Sequence, residues 1–277
     1  MAMMDGRVVV WFSCGAASAC AAKIAVERWP DCHVVYCNTL DTEHSDNARF
    51  LADVEGWIGK KIEIIGSKKY GSVDDVFERR KYMAGISGAA CTLEMKKIPR
   101  LDYQLPNDLH IFGLTADEEM RIADFENNNQ DIEMEWVLRD AGMTKEACYR
   151  MIEDARIALP AMYGLGFRHN NCIACVKATS AIYWQRVRRN FPETYSRRAR
   201  QSREIGARLV RYRGERMFLD ELPQELFLEF SEPEQDIECG VICVNEARDK
   251  RGTTYSNTKP DLIENARSEA TKHNEIS

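Results

Sequence analysis

The stretch Arg7-Val8-Val9-Val10-Trp11-Phe12, followed by Ser13-Cys14-Gly15-Ala16-Ala17-Ser18 and then by alanine-rich Ala19–Arg28, decides the fold. The first six residues form a continuous apolar run, the pattern of a strand covered on both faces in a parallel sheet. The next six are all small, and the alanine-rich run after them is a strong helix former. A loop of small residues lets backbone N–H groups close around an anion, and a helix that opens there adds the positive end of its dipole. The same residues also suit a helix packed tightly on a strand. The loop has neither the lysine of a Walker A motif nor the three glycines of a dinucleotide turn.

Working outward, the apolar pattern predicts strands at His33–Cys37, Lys61–Ile65 and His110–Leu114, and helices at Ser45–Trp57, Val73–Lys81 and Ala116–Glu126. Strands alternating with helices predict an α/β fold with a doubly wound parallel sheet. Residues Glu135–Leu159 read as helical, with Asp140–Thr144 as a stop and a new N-cap. A Gly/Asn-rich loop (Tyr163–Asn171), a cysteine pair and one long basic helix follow. The organisation expected is a nucleotide-binding α/β domain over 1–160, a small, mostly helical cysteine- and arginine-rich region over 161–245, and a polar tail over 246–277.

The chain has 277 residues, of which 44% are hydrophobic and 30% charged, enough to bury a core. No apolar run approaches the roughly 18 residues of a membrane span. Ten cysteines without a secretory signal point to a reducing compartment and a cytoplasmic location. The net charge of −6 conceals a strong asymmetry: Arg186–Arg216 holds eleven arginines, and Met217–Glu238 holds eight acids and no base. The basic stretch is either a surface for tRNA or DNA, or an arginine-rich helix paired with the acidic segment beside it.

Several ordered segments carry a resemblance. Ser13–Ser18 resembles the Ser-Gly-Gly-x-Asp-Ser pyrophosphate loop of the adenine nucleotide α-hydrolase-like (PP-loop, HUP-type) superfamily, and within it the phosphoadenosine phosphosulfate (PAPS) reductase family. Asn38-Thr39 and Glu43–Phe50 are similar to the family's segment after the second strand. Cys91, Lys96, Lys97 and Pro99 resemble its Cys-x-x-x-x-Lys-x-x-Pro stretch, and Gly113 through Glu118 and Arg121 resemble its Gly-x-Arg-x-x-Glu-x-x-x-Arg segment. Leu159-Pro160-Ala161-Met162-Tyr163, Gly166, Cys172 and Cys175 resemble its ending, so the likeness covers roughly residues 7–190. It implies an adenine-nucleotide site built from Ser13, Cys14, Gly15, Ala16, Ala17, Ser18, Asn38, Thr39, Lys96, Lys97, Gly113 and Arg121. The ligand implied is ATP or an adenylyl sulfonucleotide, with Mg²⁺ as an accompanying ion. Three positions depart from the pattern. Cys14 replaces the second glycine, Ala17 stands where the ATP pyrophosphatase branch has an aspartate, and Thr115 stands where many relatives have arginine. Adjacent Lys96 and Lys97 point to different sides of any helix or strand, so one of them is expected to face the ligand.

The cysteines supply the second chemical signal. Cys172-Ile173-Ala174-Cys175 has the spacing of a metal-ligand or redox pair, and Cys239 with Cys243 forms a second pair downstream. Together they offer four thiolates for zinc or an iron–sulfur cluster, with redox and plain core roles as the other readings of the first pair. Glu238-Cys239-Gly240 resembles the start of the reductases' catalytic Glu-Cys-Gly-Leu-His, but Val241-Ile242 replaces Leu-His. Cys91 and Cys239 are therefore the candidate catalytic thiols, and Cys91, near two lysines, is the more favoured as thiolate. Cys20, Cys32, Cys37 and Cys148 read as small core residues. The function expected is a PAPS reductase-like nucleotide enzyme of the ATP pyrophosphatase and sulfur-transfer type, partnered by a sulfur donor. The alternatives are a thiol-dependent adenylyl sulfate reductase, partnered by a thiol reductant, and a non-catalytic nucleic-acid-binding module.

Overall fold

The computed structural model describes residues 6–85 and 88–226. Five parallel strands form the central sheet: β1 (Val8–Phe12), β2 (His33–Cys37), β3 (Glu63–Ile65), β6 (Leu109–Phe112) and β7 (Glu133–Glu135), in the order β3-β2-β1-β6-β7. A hairpin of two-residue strands, β4 (Ala84–Gly85) and β5 (Gly88–Ala89), lies between β3 and β6 in sequence and outside that sheet. Successive side chains of a strand point to opposite faces, and β1 obeys this. Val8, Val10 and Phe12 pack in one cluster with α1 (Ala16–Arg28), α2 (Asn47–Ile58) and α8 (Lys145–Asp154). Val9 and Trp11 pack in another, with Ile122 and Phe125 of α6 (Glu119–Asn128) and with Trp136. Helices cover both faces, which is why β1 can be apolar at every position and the sheet is doubly wound.

Helix boundaries follow their caps. The Ser72 side chain accepts from the Asp75 N–H and opens α3 (Val73–Arg80), and Thr144 accepts from the Ala147 N–H and opens α8. Alpha-helix α1 starts at Ala16 and not at Ala19, so half of the small-residue loop is the first turn of that helix. The expected helix over Glu135–Leu159 is instead the strand β7, the short α7 (Val137–Asp140) and α8, with the break at Asp140–Thr144 where the cap signal stood. Strand β7 has only three residues and, among the described residues, pairs with β6 alone, so it carries no apolar run to reveal it.

The basic region is also corrected. One long helix is expected, but Pro192 divides it into α10 (Ala181–Asn190) and α11 (Pro192–Ile205). A hairpin follows, β8 (Val210–Tyr212) and β9 (Glu215–Met217), turned at Arg213 and Gly214 with φ of +53° and +79°. Two left-handed residues in a row are what a tight two-residue hairpin requires. This region does not build its core alone. Met162, Trp184, Tyr195 and Tyr212 share one cluster with Tyr70, Phe77, Met83, Cys91 and Met95, so the boundary expected at residue 160 does not separate two cores.

Candidate nucleotide site

The sheet order reverses at β1, whose neighbours β2 and β6 lead away to opposite sides. Ligands of open α/β sheets bind beyond the strand C-termini at such a switch point. A cleft lies there, open to solvent. Of the loop and cation residues expected at a nucleotide site, Ser13, Gly15, Ala16, Ala17, Ser18, Lys96, Gly113 and Arg121 line it, whereas Cys14, buried behind the loop, does not.

The loop is closed by Ser18, whose Oγ accepts from the Ser13 N–H and donates to the Gly15 carbonyl at 2.9 Å. Gly113 makes this architecture possible. A Cβ there would lie 2.6 Å from both the Cα and the N of Ser18, so only glycine lets the end of β6 meet the first turn of α1. Gly15 is different: its φ is −101° and a Cβ would meet nothing nearer than 3.6 Å. The left-handed residue of the loop is Cys14, at φ +57°.

Lys96 and Lys97 lie in a π turn, Leu93–Lys97, between α4 (Ala90–Thr92) and α5 (Ile98–Tyr103). Both are buried, at 7% and 6% exposed, but only Lys96 lines the cleft. Arg121 also lines it and is ion-paired with Glu118, which accepts from Thr115 as well. Lys145, which the sequence does not single out, and His169, whose place near the cysteine pair makes it a candidate phosphate or metal ligand beside the reading of an exposed loop histidine, complete the lining. Nothing in the residues around Lys145 marks it, because its place depends on how α8 docks. Asn38 and Thr39 do not line the cleft. Asn38 closes its own turn by accepting from the Leu40 N–H, and Thr39 donates to Glu43 at 2.6 Å.

A buried polar network backs the loop. The Glu43 carboxylate accepts from Tyr36, Thr39 and the Nδ2 of Asn47. Asn170 Nδ2 donates to Asn47 Oδ1 at 2.8 Å and to the Cys14 carbonyl at 2.7 Å. Tyr163 Oη accepts from the Ala16 N–H. The paired asparagines Asn170-Asn171 just before the cysteine pair are the sequence signal that was missed.

Burial governs the thiols around the site. It pushes Cys37 up to about 12, against the pull of Lys96 and Arg100, and it raises Cys14 with help from the Glu43 charge. Tyr163 is pushed up to about 12 for the same reason. Neither Cys37 nor Cys14 is therefore a thiolate at neutral pH. Cys91 is buried in the apolar cluster that also holds Cys175, and it does not line the cleft. Cys172 accepts from the Thr42 hydroxyl at 3.2 Å and lines a smaller cavity with Arg168, His169 and Asn171. His169 and Asn171 line the nucleotide cleft too, so the two cavities are neighbours. Cys20, Cys32 and Cys148 are buried core thiols, as expected. Cys239 and Cys243, with the tail over 246–277, lie outside the described residues. Among the described residues no three His, Cys, Asp or Glu side chains are grouped as a metal site needs.

In the arginine-rich stretch several side chains serve the fold. Arg198 is buried, donates to Asp74 and Gln201, and lies 4.8 Å from the Phe77 ring centroid. Arg203 pairs with Asp220 and Glu221 of the acidic segment, and Arg188 donates to the carbonyls of Leu222 and Pro223. Arg189, Arg200, Arg208 and Arg213 are exposed. Among the described residues no helix is long and apolar enough to cross a membrane. No protein-family model matches the chain, and no curated protein is similar enough to count as a relative.

Proposed function

We propose that the chain is a PAPS reductase-like adenine-nucleotide enzyme of the ATP pyrophosphatase and sulfur-transfer type. The observation that carries this reading is the cleft at the β1/β6 switch point, where the small-residue turn opening α1 faces Lys96, Arg121 and Lys145. Phosphates bound there gain from the first-turn N–H groups, the helix dipole and these cations. In an adenylyl transfer the same groups stabilise the charge that develops on departing pyrophosphate. The lysines act as point charges, and Arg121 is held in place by Glu118.

The neighbouring cavity supports sulfur chemistry beside the nucleotide, because Cys172 lines a cavity that shares His169 and Asn171 with the cleft. The described residues do not fit a complete metal centre, since Cys172 and Cys175 supply two thiols and no third ligand is grouped with them. They also fit Mg²⁺ poorly. Glu118 is the one carboxylate among the described lining residues, it is engaged by Arg121 and Thr115, and Ala17 offers no oxygen.

Calorimetry with ATP, adenylyl sulfate and GTP, followed by an assay for pyrophosphate release, tests the proposal. ATP binding in the micromolar range with GTP at least about tenfold weaker supports it. Binding of adenylyl sulfate alone brings the reductase reading forward, and binding of none of the three overturns the nucleotide assignment. Anaerobic purification with iron, zinc and sulfide analysis decides whether the cysteines hold a centre.

A further inference from the structure

Cys14 occupies the place of a glycine in the resembled loop and retains the conformation that glycine would take, φ +57°. An L side chain is crowded there, so the residue alone would favour negative φ and rotate the peptide joining it to Gly15. A chain of side chains opposes that rotation, and chemistry sets the direction of each link. The Glu43 carboxylate takes donors from Tyr36 at 2.8 Å, Thr39 at 2.6 Å and Asn47 Nδ2 at 2.7 Å. With its NH₂ committed to Glu43, Asn47 presents Oδ1 to Asn170. Asn170 must then turn its own NH₂ to Asn47 and to the Cys14 carbonyl, because a flipped amide would set its oxygen against two others. The Cys14 thiol adds a link of its own to the Asn47 carbonyl at 3.8 Å. Carbonyl and N–H of a trans peptide point in opposite directions, so tying the Cys14 carbonyl to Asn170 turns the Gly15 N–H the other way.

We infer that Glu43, Asn47 and Asn170 form a positioning relay that holds Cys14 in the left-handed conformation and so sets the Cys14–Gly15 peptide for the phosphate end of a nucleotide. The relay does for a cysteine what the missing side chain does for a glycine. All its members are buried: Asn47 is 0% and Asn170 5% exposed, and Asn170 reaches the loop from the cleft wall that it also lines. The inference rests on the reading of the cleft as a nucleotide site.

The test is epistasis on the full chain, read by calorimetry with ATP and with adenosine. Asn170→Ala is expected to weaken ATP about tenfold, the value of a buried hydrogen bond, while adenosine changes by less than about twofold. In a Cys14→Gly background the same Asn170→Ala change is expected to weaken ATP by less than about threefold, since glycine takes positive φ without a Cβ penalty. Circular dichroism establishes that each variant is folded. If Asn170→Ala is not, Asn170→Leu, which keeps the volume of the side chain and removes both donors, is read for the same contrast. An equal loss in both backgrounds, or a loss for adenosine as large as for ATP, overturns the relay while leaving the nucleotide site standing. A wild-type chain that binds neither ligand overturns the nucleotide reading, and the relay with it.

Discussion

Lys96, Arg121 and Lys145 stand around the cleft at the head of the sheet, whereas Arg188, Arg198 and Arg203 direct their donors to carbonyls and carboxylates of the C-terminal region. By density alone the second group is the more conspicuous, with eleven arginines between residues 186 and 216. Part of its charge is answered at home: Arg198 by Asp74, Arg203 by Asp220 and Glu221. The three cleft cations are scattered across some fifty residues of sequence and meet only because the π turn before α5, helix α6 and helix α8 bring them to one cleft. On the proposed reading of the cleft, position relative to the strand ends is a better guide to anion binding than local charge.

The comparison predicts its own tests. The largest effect is expected at Arg198, where truncation to alanine strands Gln201 and bares the Phe77 ring. Arg198→Ala should cost about 3 kcal/mol in urea unfolding, and exposed Arg189→Ala less than about 0.5 kcal/mol. Equal costs would mean that the arginines are interchangeable surface charges after all. Next comes Gly113→Val, which forces apart β6 and the first turn of α1. A loss of about 2 kcal/mol and of measurable nucleotide binding is expected.

Within the cleft, Lys96→Ala should weaken ATP by about 2 kcal/mol, the value of a charge-assisted hydrogen bond, and Lys97→Ala by less than about threefold. Calorimetry on the two variants separates them, and a larger effect at Lys97 would move the site. The smallest effect concerns alkaline pH. Cys14 and Cys37 have folded values raised above 9.0, so each favours the fold fully below that value and the contribution is lost as pH rises through the folded one. Stability should fall above pH 9 by about 1.4 kcal/mol per unit for each such thiol, and Cys37→Ala should flatten the slope. Urea midpoints at pH 8 and pH 10 check this.

Much of the sheet half was legible in the chain. Strand β2 falls at His33–Cys37 as read, because four of its five residues are buried and apolar, whereas β7 was hidden by its edge position and the sequence Glu133-Met134-Glu135. The cleft was legible where close approach demands a small residue, at Ser13–Ser18 and Gly113. It was not legible at Lys145 and Asn170, whose roles depend on elements that reach the loop from far along the chain. Asn38 and Thr39 mark the limit of resemblance. They sit at the head of β2 as the pattern suggests, but one closes a turn and the other serves Glu43.

Local chemistry alone determined the alternation of strands and helices, the small-residue turn opening α1, the break at Asp140–Thr144 and the burial of most cysteines, since apolar periodicity, steric size and capping act between near neighbours. Only the tertiary structure decided which of two adjacent lysines faces the cleft, that Arg198 belongs to the core, that α3 and α4 share a core with the C-terminal region, and that Asn170 holds Cys14 from 156 residues away. These depend on where a buried charge or amide finds its partner, and a low-dielectric interior makes that pairing obligatory without marking it in the surrounding sequence.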